Sequence, residues 1–498
     1  MRYLIKYIFL FVLIANITPC LPQNDNRSYG STEFNIEAFG SAATGKYTPF
    51  LIVGNRYGTI PLDAGNSYLR AGTFHNRPLK KNIRIGAGVD IIASTPRYRN
   101  VYIQQLYVEI GYKWLNLTIG SKENYTSLWD RNLSSGDLVH SANARPIPEI
   151  NISVPKFTPV PATKGILQFK GDFAAGRSFD TEYLKQLKNN NQHYIENVLW
   201  HHKSLHIRLL DPYDNFPLIA TIGVRHHAQW GGTSTNPKEG IQPHSWKDFI
   251  RVITGSSGGD DASLSAQVNV LGNHYGSYDV KLGYSHPLFD IHLYKQHFFD
   301  DVSGMELFNL PDGLYGIQVN ISNFPLINRI LLEYIYTKNQ SGPAHYIWFD
   351  HSVYPGYGGG NDSYYNNGEY TTGTSYFNRS VGSPLITSPE YNKNGSIGFK
   401  NNRIQAWHIG FDGYLSKRVA YRILMTNSEG WGTMGVPFLK KTDDFSCAAK
   451  ISYCHPHLEG WLFSGEIGAD TGSIYGDNPG VAISVSKTGI LKRNYMKQ

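Results

Sequence analysis

The stretch Phe445-Ser-Cys-Ala-Ala-Lys-Ile-Ser-Tyr-Cys454 places apolar side chains at its odd positions and polar ones at most even positions. Since successive side chains of a strand point to opposite faces, this period of two predicts a β-strand with one apolar face. The same alternation recurs after residue 80, in the segments 264–270, 289–296, 407–412, 418–425 and 461–467. The chain is therefore predicted to be all-β.

The lengths of the connections decide between two all-β architectures. A soluble sandwich and a membrane barrel both need strands with unlike faces. Here short connections such as 413–416 and 455–458 alternate with long ones such as 427–444 and 338–403. One connection, 272–276, is short where a long one is expected. Because membrane barrels alternate short periplasmic turns with long outer loops, we expect an outer-membrane β-barrel.

The strand count sets the predicted domain boundaries. Residues 83–491 contain about 18 candidate strands, and an even number brings both ends of a barrel to the periplasm. Three further candidate strands before residue 80 would break this parity, so residues 21–82 are predicted to form a small N-terminal periplasmic or lumen section. Residues 492–498 are predicted to form a C-terminal tail.

Composition excludes several other classes of protein. Only 17% of the 498 residues are charged, whereas about 25% is usual for soluble domains. Together with 34 Tyr and 50 Gly, this argues against a coiled coil or a disordered chain. The net charge of +7 is spread over scattered Lys and Arg, so no nucleic-acid partner is predicted.

The first 20 residues are predicted to be a secretory signal peptide. Arg2 and Lys6 precede the apolar run 7–17, and Thr18-Pro-Cys-Leu21 follows it. Lipid attachment at Cys20 is not favoured, because Pro19 stands where a small residue is needed. No other apolar run approaches the 18 residues of a membrane helix, so we expect an exported protein that crosses the membrane with strands.

Five stretches, spread over most of the chain and in the family's order, resemble the Wzi-type capsule assembly proteins of Gram-negative outer membranes. They are Thr48-Pro-Phe-Leu-Ile-Val-Gly-Asn-Arg-Tyr-Gly-Thr-Ile60, Ser141-Ala-Asn-Ala-Arg-Pro-Ile-Pro148, Leu199-Trp-His-His-Lys-Ser-Leu205, Gly272-Asn-His-Tyr-Gly-Ser-Tyr-Asp279 and Asp312-Gly-Leu-Tyr-Gly-Ile317. The resemblance implies a large outer-membrane barrel that binds capsular polysaccharide, lectin-like and without catalysis, and helps to anchor the capsule. Its partners would be the polysaccharide, outer-membrane lipid and, as a further candidate, the capsule export machinery. The best-known branch has an N-terminal helical bundle, which residues 56–82 do not predict.

No catalytic or metal site is predicted. Gly255-Ser-Ser-Gly-Gly259 fits the G-x-S-x-G hydrolase pattern, but a candidate strand rather than a helix follows it, so we favour a short periplasmic turn. Among the densest histidines, His202 and His206 share a strand face but lie about 13 Å apart, too far to share a metal ion. Lumen-facing hydrogen bonds are the preferred role for them.

Cysteine and carboxylate spacings are equally uninformative about catalysis. Cys447 and Cys454 point to opposite faces of one predicted strand, so they are expected to be two inert thiols rather than a disulfide. No spacing of Asp or Glu predicts the carboxylate pair of a glycosidase. We expect neither enzymatic activity nor a cofactor.

The segment 338–403 is the predicted sugar-binding loop, because it interleaves aromatic residues with Gly and Asn. Sugars stack their apolar face on rings, and a guanidinium can grip the carboxylate of a uronic acid at two points. The alternative is that these tyrosines pack a stable outer loop. The predicted polysaccharide-binding residues are Tyr354, Tyr357, Tyr364, Tyr365, Tyr370 and Arg379, with Trp230 and Trp431 from neighbouring outer loops.

A porin-type transport channel is the alternative function. A barrel of this size can hold an aqueous channel, and several cations are predicted to line its lumen. They are Arg208, Lys281, Arg329, Arg418 and Arg422. The long loops 173–203 and 338–403 could close the lumen, which favours the surface-binding interpretation.

Overall fold

The computed structural model describes residues 30–494 apart from 81, 98, 188–191, 214–215 and 341–361. The predicted signal peptide therefore lies outside the described residues. One antiparallel sheet of 18 strands forms the wall of the molecule, as the sequence predicts. In chain order its strands are β1 (Gly30–Ala43), β2 (Asn66–Lys80), β3 (Ile83–Thr95), β4 (Val101–Tyr112), β5 (Leu115–Ser121), β6 (Glu149–Pro159), β7 (Leu167–Arg177), β8 (Leu199–Leu209), β9 (Leu218–Trp230), β10 (Asn273–His286), β11 (Phe289–Phe299), β12 (Gly313–Ile321), β13 (Arg329–Tyr336), β14 (Ile404–Ser416), β15 (Val419–Gly432), β16 (Pro437–Cys454), β17 (Trp461–Gly472) and β18 (Gly480–Asn494).

The sheet closes into a barrel. Each strand pairs with its neighbours in the chain, and β1 pairs with β18 from Gly30↔Asn494 to Ala43↔Gly480. Because every strand reverses direction, the connections fall alternately at two ends. One end, here the short-turn end, has connections such as 287–288 and 417–418, and the other, the long-connection end, has 231–272 and 337–403.

The wall alternates in the way that a bilayer requires. On β4, Val101 and Ile103 point outward and are 62% and 51% exposed, while the alternate residues Tyr102 and Gln104 are buried. Apolar side chains outside and polar ones inside are typical of barrels in outer membranes. Among the described residues, no helix is both long and apolar enough to cross a membrane.

The N-terminal boundary differs from the prediction. β1 and β2 are wall strands rather than part of a separate section 21–82, because β1 supplies the edge that closes the barrel against β18. Only their connection, 44–65, lies within the lumen, where the short helix α1 (Phe50–Val53) is buried. At the other end, β18 extends to Asn494, beyond the predicted limit at 491.

The predicted strand over 264–270 is wrong. Its first part forms helix α4 (Leu264–Val268), which follows helix α3 (Trp246–Thr254). The Ser245 hydroxyl caps α3, and Gly255 ends it at a φ of 64°, a left-handed conformation that glycine adopts without strain. Residues 231–272 are thus one long connection, and the exception at 272–276 disappears. The stretch 255–259 is a turn between two helices at the long-connection end, not a periplasmic turn.

Three long connections fold into the lumen and fill it. We call the plug residues 44–65, 122–148 and 362–403. Their apolar side chains form one buried core with the inward side of the wall, which includes Ile52, Leu133, Leu138, Tyr365 and Ile386. The predicted closure by 338–403 is confirmed for its described part. In the described part of the loop 173–203, Val198 packs beside Ala144 and Val381 of the plug.

The wall holds the plug with buried polar contacts. Glu333 of β13 accepts hydrogen bonds from the Ser134 hydroxyl and the Ser135 backbone N–H, both at 2.7 Å. Arg225 of β9 forms an ion pair with Asp137, and both side chains are at most 2% exposed. Since an unpaired buried charge is costly, these contacts fix the plug in one position.

The remaining elements are short. They are α2 (Thr181–Lys185), α5 (Val302–Met305), the 3-10 turn Pro389–Tyr391, and the two-residue strand pairs Ile195–Glu196 with Thr233–Ser234 and Ser375–Tyr376 with Arg379–Ser380.

Candidate functional site

The predicted sugar-binding residues do not form one exposed surface. Tyr354 and Tyr357 lie outside the described residues. The other six are buried, with exposures between 1% and 6%: Tyr364, Tyr365, Tyr370, Arg379, Trp230 and Trp431. A ring that is 1% exposed cannot stack on a sugar that arrives from solvent. For the described tyrosines the structure favours the alternative, that they pack a stable loop.

The three tyrosines belong to the core of the plug. The Tyr364 hydroxyl donates to Asp312 Oδ2 at 2.8 Å and accepts from Asn309 Nδ2 at 2.5 Å. The Tyr365 hydroxyl donates to the Leu138 carbonyl. The Tyr370 hydroxyl donates to the Gly231 carbonyl at 3.3 Å. Each hydroxyl is thus used to hold one long connection to another.

The two tryptophans lie apart from these tyrosines. Trp230 faces outward from the wall and stacks on Phe249 of α3, with ring centroids 5.4 Å apart. Trp431 lies beneath Lys338, whose Nζ is 3.6 Å from the ring centroid. Neither ring is free to complete a sugar-binding surface in the way that the sequence suggested.

The long-connection end has a different feature, a water-accessible cavity of about 370 Å³ that we call the outer cavity. Its lining comes from the connections 44–65, 96–100, 122–148, 178–198 and 337–403. Four cationic side chains and two carboxylates line it: Lys46, Arg97, Arg145 and Arg379, with Asp63 and Glu390. The cavity therefore carries an excess of positive charge.

Arg379 is the most buried cation of the outer cavity. Its Nε lies 2.8 Å from Glu390 Oε1, and its Nη2 donates to Glu390 Oε2 and to the Ile60 carbonyl, each at 3.1 Å. Burial alone would lower the pKa of Arg379, but the Glu390 carboxylate outweighs it and raises the pKa. Its Nη1 is buried and has no hydrogen-bond partner among the described residues. A buried donor without a partner costs free energy, which a ligand acceptor that reached it would recover.

Two further guanidinium groups lie near Arg379. Arg97 donates to the Gly58 carbonyl at 2.5 Å, and burial together with repulsion from Arg379 and Arg145 lowers its pKa. Arg145 donates to the Ile103 carbonyl at 2.8 Å and lies over the Phe377 ring, 4.4 Å from its centroid. Their partners are mainly carbonyl oxygens and rings, and the Glu390 carboxylate that pairs with Arg379 also opposes the fall in the pKa of Arg97.

Aromatic side chains complete the lining of the outer cavity. They are Tyr47, Tyr183, Tyr376 and Phe377. Rings beside guanidinium groups can bind a sugar that has an apolar face and a carboxylate. The sequence pointed to Arg379, and to Phe377 as part of the predicted loop 338–403, but it missed Arg97 and Arg145. Arg145 lies in the quoted stretch 141–148, but nothing in its spacing predicts three arginines in one cavity.

A second cavity of about 330 Å³, the inner cavity, lies between the plug and the inward face of the wall. Its charges are arranged differently. Glu466 accepts from Arg56 at 2.9 Å and from Arg422 at 3.2 Å. Arg70 contacts both Asp90 and Glu123. Arg56, Arg70 and Arg422 are therefore paired with carboxylates of the protein, while Arg131 and Lys450 also line this cavity.

The histidines serve two structural roles. His202 faces the lumen, as expected, and contacts Glu149 at 2.8 Å and Asp172 at 2.6 Å. His201 and His226 face outward instead, beneath α3. Within the described ranges, no group of three or more His, Cys, Asp or Glu side chains is placed to hold a metal ion. Cys447 and Cys454 form no disulfide with each other.

Comparisons with known proteins agree with this architecture. The family model of the capsule assembly protein Wzi matches residues 15–387. No curated protein matches the sequence. Among solved structures, Wzi of Escherichia coli, described as a carbohydrate-binding outer-membrane β-barrel involved in group 1 capsule assembly, is 11% identical. That match covers 91% of this chain and 83% of the other, with a TM-score of 0.56.

Weaker structural similarities are to other barrels. OccK5 of Pseudomonas aeruginosa is 8% identical, covering 93% of this chain and 98% of the other with a TM-score of 0.47. A BenF-like porin of Pseudomonas fluorescens is also 8% identical, covering 93% and 99% with a TM-score of 0.46. Because the family model spans most of the sequence, the chain belongs to the Wzi capsule assembly protein family.

Proposed function

We propose that this chain is a non-enzymatic outer-membrane barrel that binds acidic capsular polysaccharide in the outer cavity and holds the capsule at the cell surface. Family membership and the carbohydrate-binding neighbour in Escherichia coli support the general role. The observation that carries the site is the charge of the outer cavity. Lys46, Arg97, Arg145 and Arg379 line it with two carboxylates, and Arg379 keeps a buried donor without a hydrogen-bond partner among the described residues.

The chemistry of the cavity suits a uronic acid residue of the polymer. A sugar carboxylate would accept charged hydrogen bonds from the guanidinium groups, each contributing about 1.5–3 kcal/mol. The Phe377 and Tyr183 rings can contact the apolar face of the sugar. Because the polymer repeats and many barrels contact it, weak single sites would add up to firm retention.

The structure gives less support to catalysis or transport. Glu390, the more buried carboxylate of the outer cavity, is held by Arg379, so it is not available as a free acid or base. The plug fills the lumen with a buried apolar core, whereas a porin needs an open one. The capsule export machinery would act before this protein, by delivering the polymer to the cell surface.

Capsule retention on whole cells tests the proposal. In cells that depend on this protein, Arg145→Gln should release capsule into the medium, because it removes one guanidinium from the outer cavity. A loss of about 1.5–3 kcal/mol corresponds to roughly 10- to 150-fold weaker binding per site. Arg84→Gln is the matched control, since Arg84 is exposed near the short-turn end and donates to Asn116 Oδ1.

Heat-modifiable migration on a gel would verify that both variants fold. If Arg145→Gln folds, reaches the surface and retains as much capsule as Arg84→Gln does, the outer cavity is not the binding site.

A further inference from the structure

Helix α3 lies against the outside of the barrel wall rather than above the lumen. On β9, Ile222 and Val224 point outward and are 58% and 43% exposed. His226, Ala228 and Trp230 continue the same face, because side chains of equal parity share a face. The Phe249 ring of α3 stacks on Trp230, with centroids 5.4 Å apart. The connection 231–272 therefore folds back over the rim onto the outer surface.

This contact extends over β8 and β10 as well. Phe249 also contacts the outward-facing His201 of β8, with ring centroids 5.6 Å apart. Lys203 Nζ donates to the Ile253 carbonyl of α3. His274 of β10 is 2.8 Å from the Leu271 carbonyl. Under this cover His201 and Ala228 are at most 1% exposed. The segment thus shields polar side chains on a wall that is otherwise apolar.

The position of α3 along the wall matches the outer boundary of the bilayer. Ala228 lies ten residues after Leu218, the first residue of β9. With a rise of about 3.4 Å per residue and a tilt near 40°, this span climbs about 26 Å. The apolar band of such barrels is about 25 Å tall. The helix consequently packs where acyl chains give way to head groups.

The helix is amphipathic, and only half of its apolar side meets the wall. At 100° per residue, Val252, Phe249, Trp246 and Ile250 form one continuous apolar arc. Val252 is fully buried against the barrel, whereas Trp246 is 74% and Ile250 45% exposed. A helix that rests on a protein in water has no reason to extend its apolar arc beyond the contact.

We propose that α3 is an interfacial membrane helix, with Trp246 and Ile250 inserted among the acyl chains of the outer leaflet. Lipid is the occupant that the structure favours, because α3 packs on the outward face of β9, the face on which Ile222 and Val224 are exposed. Tryptophan is also enriched at this level of membrane proteins. Lys247, on the opposite arc, points to the head groups. The inference rests on the proposed outer-membrane location and is independent of polysaccharide binding.

Depth-dependent quenching in vesicles tests the proposal. In a Cys447→Ser, Cys454→Ser background, an environment-sensitive fluorophore is attached to Ile250→Cys or, as the matched control on the opposite arc, to Lys247→Cys. The full barrel is placed in phosphatidylcholine vesicles that contain lipids spin-labelled on the acyl chain. Quenching of the label at residue 250 should exceed that at residue 247 at least twofold. A label at Trp246→Cys should behave like the one at 250, which guards against a local disturbance.

Two results would overturn the proposal. Equal quenching at 250 and 247, in barrels that still show heat-modifiable migration, would place α3 in water. Strong protection of residue 250 that appears only when cross-linking shows barrel dimers would make a second copy of the chain the occupant instead of lipid.

Discussion

The inner and outer cavities lie on different sides of the same plug, and they differ in how their arginines are paired with carboxylates. In the inner cavity, Arg56 and Arg422 meet Glu466, and Arg70 meets Asp90 and Glu123. In the outer cavity, Glu390 pairs with Arg379, whereas Arg97 and Arg145 contact mainly carbonyl oxygens and rings. Both cavities are rich in arginine, so residue type alone does not distinguish them.

The difference indicates what each set of charges does. A cation that is neutralised by a carboxylate of the same chain stabilises the fold and has little attraction left for a ligand. A group of cations that repel one another is destabilising until an anion arrives, and burial with this repulsion lowers the pKa of Arg97. The ion pairs therefore indicate a structural role for Arg56, Arg70 and Arg422 on the inner side, whereas binding is proposed for the outer side.

The largest expected effect is on the paired side, at Arg225 and Asp137. Arg225 holds the pKa of Asp137 below its ordinary value, although burial acts to raise it. Arg225→Met leaves a buried carboxylate unpaired and should lower the free energy of unfolding by about 3–5 kcal/mol. Denaturant unfolding in detergent, followed by tryptophan fluorescence, measures this. The double variant Arg225→Met, Asp137→Leu should recover most of the loss, and a double variant as unstable as the single one would contradict the account.

A smaller effect is expected at Tyr364, which the sequence assigned to sugar binding. Tyr364→Phe removes the hydroxyl that hydrogen-bonds to Asp312 and Asn309, so the free energy of unfolding should fall by roughly 1–3 kcal/mol. Polysaccharide affinity should stay unchanged, because the ring is 1% exposed. Tyr112→Phe, exposed at the end of β4, is the control and should change neither quantity. Weaker affinity without loss of stability would return Tyr364 to the binding site.

The same substitution made in each cavity compares the two directly. Arg56→Gln removes one of two partners of Glu466 and should reduce stability by about 1 kcal/mol without changing polysaccharide binding. Arg145→Gln should reduce stability less, since it also relieves repulsion of Arg97, and should weaken binding. The free energy of unfolding and the affinity for polysaccharide are measured for both variants and compared. Equal effects of both variants on binding would refute the division between the cavities.

A separate prediction concerns pH. Burial raises the pKa of Asp312, in the connection before β12, from 3.8 to about 7. The folded protein therefore keeps a proton that the unfolded chain loses near pH 4, so this group's contribution to stability is present below pH 4 and lost as pH rises towards 7. Asp312→Asn should make the stability curve flatter between pH 4 and 7. An unchanged slope in that variant would show that Asp312 is ionised in the folded protein.

How far the sequence predicts this molecule depends on the range of the contacts involved. The wall was readable because each strand shows its two faces within a few residues, as in 445–454. Leu264, Ala266 and Val268 alternate with polar residues as they would in a strand, which is why the sequence does not predict helix α4. The signal that indicates helices here is the pair of capping residues, Ser245 before α3 and Ser263 before α4. The predicted count of 18 strands agrees with the structure because two errors cancel. The region of helices α3 and α4 was counted as strands, and the wall strands β1 and β2 were not counted.

The plug and the outer cavity could not be derived in this way. Glu333 binds Ser134 across 199 residues of chain, and Arg379 binds the Ile60 carbonyl across 319. Such pairs leave no local pattern, because each partner alone resembles an ordinary polar residue of a loop. Aromatic richness in 338–403 correctly marked an unusual segment but not its role, since rings that pack a plug and rings that stack on sugars have the same composition.

Binding of purified capsular polysaccharide to the purified barrel tests the central claim most directly. Titration calorimetry would compare the native polymer with the same polymer after chemical reduction of its carboxylates to alcohols. We predict saturable binding of the native polymer that weakens with salt, and at least tenfold weaker binding of the reduced polymer or of the Arg145→Gln barrel. Equal affinity for the native and reduced polymers would contradict the account, because the outer cavity would then not recognise charge.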